Sequence, residues 1–173
     1  SYSTLTPCET SKDKQPFWIT NSPPSPINYI KKRGSCCVGL ANLVRKYMHL
    51  EVPGHITGKE RHEFIGGTGA WFSYLESEGR LQKIDLTKTY PDGTLLLQNF
   101  SPENAGHVAI VLKSSKKGLL DSEIIHNICQ SFPKKEGRER ISYRGVTIHP
   151  LKDYPDYERF THICLPENWL LKN

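Results

Sequence analysis

Residues 106–112 read GHVAIVL, and this stretch decides the fold of the 173-residue chain. Every residue after His107 in this stretch is apolar, which predicts a strand in the middle of a sheet with a layer of structure on each face. Further strand-like segments follow the turn signal Asp92-Gly93, at residues 94–98, 123–130, 146–149 and 160–165. We therefore predict an antiparallel sheet of about five to six strands.

Two helices are predicted before the sheet. From Cys37 onward, apolar residues recur at helical spacing until Pro53-Gly54 ends the segment. A second helix is predicted over residues 69–78, with Thr68 as its cap and Gly79 as its stop. Helices first and an antiparallel sheet afterwards predict an α+β architecture.

The chain divides into an arm and one domain. Four prolines between positions 16 and 26 exclude a helix or a central strand there, so residues 1–27 are predicted to form an irregular N-terminal arm. Residues 28–173 have the length of a single domain that buries its own core. The final segment, residues 159–169, is predicted to form a last strand and a short turn that packs Trp169 on that core.

Composition excludes several classes of function. The formal net charge of +5 is a mild basic excess, and the Lys and Arg clusters lie beside turn residues without the interleaved aromatic residues of a nucleic-acid groove. No apolar run approaches the roughly 18 residues of a membrane span. The chain opens on Ser1 without a basic-then-apolar leader, which we interpret as a mature or trimmed product. The sequence therefore predicts no nucleic-acid partner and no membrane partner.

The number and spacing of the cysteines favour a reactive thiol over a set of disulfide bonds. The five cysteines are an odd number at irregular spacing, which does not make a disulfide framework. Neither a C-x-x-C pair nor a closely spaced pair of histidines is present, so no structural zinc site or other metal site is predicted. At least one thiol is left unpaired or available for a reaction.

Cys37 is the candidate nucleophile. A thiol at a helix N-terminus lies at the positive end of the helix dipole, where unpaired backbone N–H groups favour the thiolate and can hold an oxyanion. The alternative is a small buried apolar residue, which is the common role of a free cysteine. His107 favours the first interpretation, because an imidazole at a strand end can face a helix terminus and act as a general base.

His126 is the candidate third member of the site. It lies in the next predicted strand, and adjacent antiparallel strands would place it beside His107, where it could orient the base. The alternative for His126 is a half-buried sheet residue without a catalytic role. Asn127 and Gln130 are the other candidates for the third position.

The order of these segments resembles the NlpC-type cysteine peptidases and the related CHAP amidases. The resemblance is carried by GSCCVGLANLV at 34–44, GHVAIV at 106–111 and Ile125-His126, and it covers about residues 30–130. The segment GGTGAWFSYLE at 66–76 is similar to the helix that CHAP proteins place between their Cys and His motifs. The resemblance implies a papain-like core, with the N-terminal helices packed on the sheet.

What the resemblance implies about function is specific. Cys37 would be the nucleophile, His107 the base and His126 the third polar residue of a cysteine hydrolase that needs no cofactor. The substrate would be an amide bond in a cell-wall peptide or peptidoglycan fragment, cut by an endopeptidase or amidase. We expect such a protein to act as a monomer and to be secreted or delivered to the cell envelope.

The residues around the thiol depart from the NlpC pattern. These enzymes usually carry Asp before the cysteine and Ser after it, whereas this chain has Cys36 and Val38. Tyr29 could take the place of the upstream aromatic residue, so Tyr29, Cys36 and Val38 are the predicted substrate contacts. Two other functions stay open: a non-catalytic binding module on the same fold, and a viral or effector thiol protease or acyl-hydrolase with another substrate.

Overall fold

Residues 37–53, 66–99, 106–133 and 140–170 are described by a computed structural model, with the backbone alone given at 129–133 and 140–144. The predicted arm at 1–27, Tyr29 and Cys36 lie outside the described residues. Within the described ranges, no helix is long and apolar enough to cross a bilayer.

Helix α1 (Gly39–Tyr47) is shorter than the predicted segment. It ends because His49 adopts a left-handed backbone conformation, with φ of 56°. The amide of His49 donates to the carbonyl of Lys46, and the amide of Leu50 donates to the carbonyl of Arg45. These two bonds close the helix before Pro53.

Helix α2 (Thr68–Ser77) matches its prediction to within one residue at each end. Thr68 is the first helical residue rather than the cap, a position that Gly67 takes. Gly79 stops the helix as predicted, because its φ of 64° is easily adopted without a side chain.

The strands form one six-stranded sheet in the order β1-β6-β2-β3-β4-β5, and each pair of neighbours is antiparallel. The strands are β1 (Gln82–Lys83), β2 (Leu95–Gln98), β3 (His107–Lys113), β4 (Glu123–Pro133), β5 (Arg140–Pro150) and β6 (His162–Cys164). A short helix, α3 (Pro166–Trp169), follows β6. The α+β class and the interior position of β3 are confirmed. The two-residue strand β1 was not predicted, because both of its residues are polar and exposed.

The sheet separates two apolar clusters, as the all-apolar β3 predicts. The helix-side cluster contains Val108 and Ile110 of β3 together with Val38, Trp71 and Trp169. The opposite cluster contains Ala109 and Val111 of β3 together with residues of the loops after β3 and β5, including Leu119, Leu151, Tyr154 and Phe160. Alternate residues of β3 therefore enter different halves of the core.

Candidate functional site

The rings of His107 and His126 meet, and the predicted contact between them is confirmed. In the pairing of β3 with β4, Ile110 lies opposite Ile125 and Val111 lies opposite Ile124. This register brings His126 alongside the start of β3, where its Nδ1 lies 2.8 Å from Nε2 of His107. Both side chains are buried, so the hydrogen bond between them is shielded from water.

A third histidine, which the sequence analysis missed, extends this pair. Nε2 of His149 on β5 lies 2.9 Å from Nε2 of His126. Nδ1 of His149 lies 2.9 Å from the carbonyl oxygen of Pro150. We refer to His107, His126 and His149 as the histidine relay.

With one proton on each ring, the direction of every hydrogen bond in the relay follows from its last acceptor, the carbonyl of Pro150. This carbonyl only accepts, so the single proton of His149 is on Nδ1, and its Nε2 is an acceptor. His126 must then donate from Nε2 and accept at Nδ1. His107 donates from Nε2, which leaves the lone pair of its Nδ1 available to accept a proton.

The surroundings of His107 and His126 keep these two rings neutral. Burial lowers the pKa of His107 to about 4. The pKa of His126 is lowered to about 3, first by burial and then by the neighbouring His107 and His149 rings. The ring of Tyr154 packs 5.6 Å from that of His107 and 5.0 Å from that of His126. At neutral pH His107 and His126 are therefore uncharged, as the hydrogen-bond directions require.

Mild acid is expected to destabilise the fold through these two rings. Their pKa values lie well below the ordinary 6.5, so between pH 6.5 and 5 the unfolded chain takes up protons that the folded chain does not. Above pH 6.5 the two rings do not reduce the free energy of unfolding. As the pH is lowered below 6.5, the free energy of unfolding decreases by up to about 1.4 kcal/mol per pH unit for each ring.

Urea unfolding at pH 7.0, 6.0 and 5.0 measures this slope, in a range that lies above the titration of most carboxylates. The variant His126→Gln is expected to flatten it. A free energy of unfolding that is constant over this range in the wild-type chain would contradict the assignment of neutral, buried rings.

The structure does not bring the Cys37 thiol into hydrogen-bond contact with His107, contrary to the sequence prediction. The half-buried Cys37 packs against the helix-side cluster, and its Sγ lies 3.8 Å from Oγ1 of Thr68. His107 leaves β3 on the other face, where its ring contacts those of Tyr154 and Phe160. The physical reason is the alternation of β3, because the helix face is taken by Val108 and Ile110.

The carboxyl end of α1 lies at the carboxyl end of β3. Arg45 in the last turn of α1 donates from Nη1 to the carbonyl of Trp169. The indole of Trp169 donates to the carbonyl of Gly93, and the amide of Gly93 donates to the carbonyl of Val111. This chain of bonds fixes one end of the helix over the sheet.

The amino end of α1, with Cys37, therefore lies toward the His107 end of β3. Nine helical residues span about 13 Å, which is close to the length of the five strand residues from His107 to Val111. Helix α2 agrees with this direction: Thr68 next to Cys37 lies one turn before Phe72, whose ring contacts that of His162 on β6 at 4.9 Å. Cys37 and His107 thus share one end of the sheet but pack on different faces of it.

The other predicted site residues have different surroundings. Val38 is fully buried in the helix-side cluster, so the structure places it in the core rather than on a surface that contacts a substrate. Asn127 is also buried, but it follows His126 on β4 and so points to the face opposite the relay. The side chain of Gln130 lies outside the described part of the chain.

Among the residues that the structure describes, no group of three or more His, Cys, Asp or Glu side chains is arranged to hold a metal ion. The relay nitrogens at 2.8 Å and 2.9 Å bind each other.

Comparison with known proteins found no match among protein-family models, curated proteins or solved structures.

Proposed function

We propose that the chain is a cysteine hydrolase in which Cys37 is the nucleophile, His107 is the general base and His126 positions the base. The observation that carries this proposal is the directed relay, which leaves the acceptor lone pair of His107 on Nδ1. A neutral imidazole with one free acceptor nitrogen is the form that a general base needs. The candidate donor for this role is the thiol of Cys37, which lies toward the same end of the sheet.

The reaction follows from these roles. Nδ1 of His107 takes the proton of the Cys37 thiol, and the thiolate attacks the carbonyl carbon of an amide. The protonated ring then gives its proton to the leaving amine, and the amide C–N bond breaks to leave a thioester. Water adds to the thioester with His107 again as base, which releases the carboxylic acid and regenerates the thiol. This sequence needs neither a metal nor an organic cofactor.

The start of α1 offers a place for the negative charge that develops on the carbonyl oxygen. Val38 is the N-cap of α1, no side chain caps the helix, and its first turn has no acidic residue. Backbone N–H groups at this position are free of internal helical partners and can donate to an oxyanion. In the proposed reaction Cys37, two residues before the helix, would present the substrate carbonyl to these N–H groups.

The proposal requires the thiol and the ring to meet around the end of β3. His107 is the first residue of its strand, and Gly106 before it has a φ of 70°, which glycine adopts at no steric cost. The proposal therefore includes a local rearrangement of Gly106 and His107 that lets Nδ1 of His107 reach Sγ of Cys37. The resemblance to NlpC and CHAP enzymes supports a peptide amide, and in particular a cell-wall peptide, as the substrate.

A non-catalytic binding module is the second candidate. It is favoured by one observation, the packing of Cys37 and His107 on different faces of the sheet. In that case the relay would be a structural element of a buried core. Labelling of the thiols separates the two candidates.

Iodoacetamide near pH 6 is expected to label Cys37 in preference to Cys164, as read by peptide mass spectrometry. The start of α1 favours the thiolate of Cys37, which is the form that reacts, because no acidic residue stands in the first turn and the positive end of the helix dipole lies there. Cys164 is an internal control, since burial raises the pKa of its thiol to about 12. The variant His107→Gln is expected to slow labelling of Cys37 by about tenfold or more.

Equal and slow labelling of both thiols in the folded chain would favour the binding module. If Cys37 does label selectively, a screen of cell-wall fragments against ubiquitin-like, peptide and lipid esters identifies the acyl bond. Turnover of an ester or a ubiquitin-like substrate instead of wall fragments would move the assignment to another acyl-hydrolase.

A further inference from the structure

We propose that His149 is a positioning residue that fixes the tautomer of the His107–His126 pair. Its consequence for catalysis rests on the proposed function, whereas its effect on the protons of the two rings does not. His149 was not singled out by any sequence motif, and it enters the site through its position on β5.

Two neutral histidines joined by one hydrogen bond do not determine which ring donates. His107 can donate from Nε2 to His126, or His126 can donate from Nδ1 to His107. In the first arrangement Nδ1 of His107 keeps its lone pair and can accept a proton. In the second arrangement Nδ1 of His107 carries a proton, and the ring cannot act as a base from that atom.

The bond from His149 to the Pro150 carbonyl decides between these arrangements. If every bond of the relay reversed while each ring kept a single proton, Nδ1 of His149 would present a lone pair to a carbonyl oxygen that also only accepts. The reversed relay loses this hydrogen bond and places two acceptors 2.9 Å apart. The hydrogen bond between His149 and the Pro150 carbonyl therefore favours the arrangement in which Nδ1 of His107 can accept a proton.

The carbonyl that sets the direction is held by the backbone. Pro150 is the last residue of β5 and lies opposite Glu123 on β4. The next residue, Leu151, donates its amide to the carbonyl of Ser122, which ties the end of β5 to the start of β4. Pro150 therefore offers its carbonyl from a fixed position rather than from a loop that can turn away.

Nitrogen NMR of the full chain labelled with ¹⁵N-histidine tests this assignment directly. Long-range ¹H–¹⁵N spectra distinguish a protonated from an unprotonated ring nitrogen, and His107→Gln identifies the signals. In the wild-type chain at pH 7.5, His107 is expected to carry its proton on Nε2. A proton on Nδ1 of His107 would overturn the proposal.

Three variants make the test specific. In His149→Leu the bond to His126 is lost, and His107 is expected to become a mixture of both tautomers. In His149→Gln the side-chain oxygen can accept from His126 while the amide donates to Pro150, so the wild-type tautomer is expected to be restored. The control His162→Gln, outside the relay, is expected to leave the His107 signals unchanged.

Kinetics give the catalytic consequence separately. On the substrate that the screen identifies, kcat of His149→Leu is expected to fall about tenfold at unchanged KM. His149→Gln is expected to recover most of the wild-type kcat. An unchanged His107 tautomer in His149→Leu would overturn the inference, whatever the activity. If His149→Leu does not fold, the wild-type tautomer and the comparison with His149→Gln decide. An inactive wild-type chain with the expected tautomer would refute the proposed function and leave the role of His149 in place.

Discussion

Replacement of Cys37 by alanine is expected to reduce kcat/KM by at least about a thousandfold. The sulfur is the atom that forms the acyl bond in the proposed reaction, and no other described side chain at the start of α1 can take that role. The side chain is half-buried, so the loss of one sulfur is expected to change the melting temperature little. Initial rates on the substrate found by the screen, with a thermal melt of the same preparation, measure both effects.

Two further cysteine variants serve as controls. Cys37→Ser keeps the size of the side chain but raises the pKa of the nucleophile, so it is also expected to be inactive. Cys164→Ala changes a buried thiol of the helix-side cluster, and it is expected to keep its turnover. Full activity of Cys37→Ala would remove the proposed function.

Replacement of Arg45 by methionine is expected to destabilise the fold by about 3 kcal/mol. Arg45 is 2% exposed and donates to the carbonyls of Glu51 and Trp169, while its guanidinium lies 5.8 Å from the ring of Trp71. Methionine fills a similar volume but leaves both carbonyls without this donor in a buried site, and each such loss costs about 1–3 kcal/mol.

The midpoint of urea unfolding measures this loss, and Tyr47→Ala on the same helix is the matched control. Tyr47 is 67% exposed, so its replacement is expected to change stability by less than about 0.5 kcal/mol. A similar small effect for Arg45→Met would mean that the two carbonyls find other donors, and the end of α1 would then not depend on Arg45.

The helices and strands are predicted well from the local sequence, because the spacing of buried apolar residues follows the geometry of each element. The apolar spacing after Cys37 predicts α1, and the uninterrupted apolar stretch of β3 predicts its central place between two clusters. The end of α1 was misplaced because it depends on the backbone of His49, a residue without a stop signal of its own.

The sequence predicts only those site residues whose contact follows from strands that are adjacent in the chain. His126 follows from the pairing of β4 with β3, which the sequence order suggests. His149 requires the pairing of β5 with β4, and no residue type near it signals that register. The face of the sheet on which His107 lies could not be predicted either, because the apolar residues after it occupy both faces alike. The NlpC-like and papain-like character of the fold stays a prediction.

The bond from Arg45 to Trp169 has a consequence for how the chain is made. The two residues are separated by 124 positions, so α1 cannot acquire this anchor until nearly all of the sheet has been synthesised. Until Trp169 has been synthesised, the carboxyl end of α1 lacks this contact. Docking of that helix end is therefore expected to be a late event of folding, after the strands have paired.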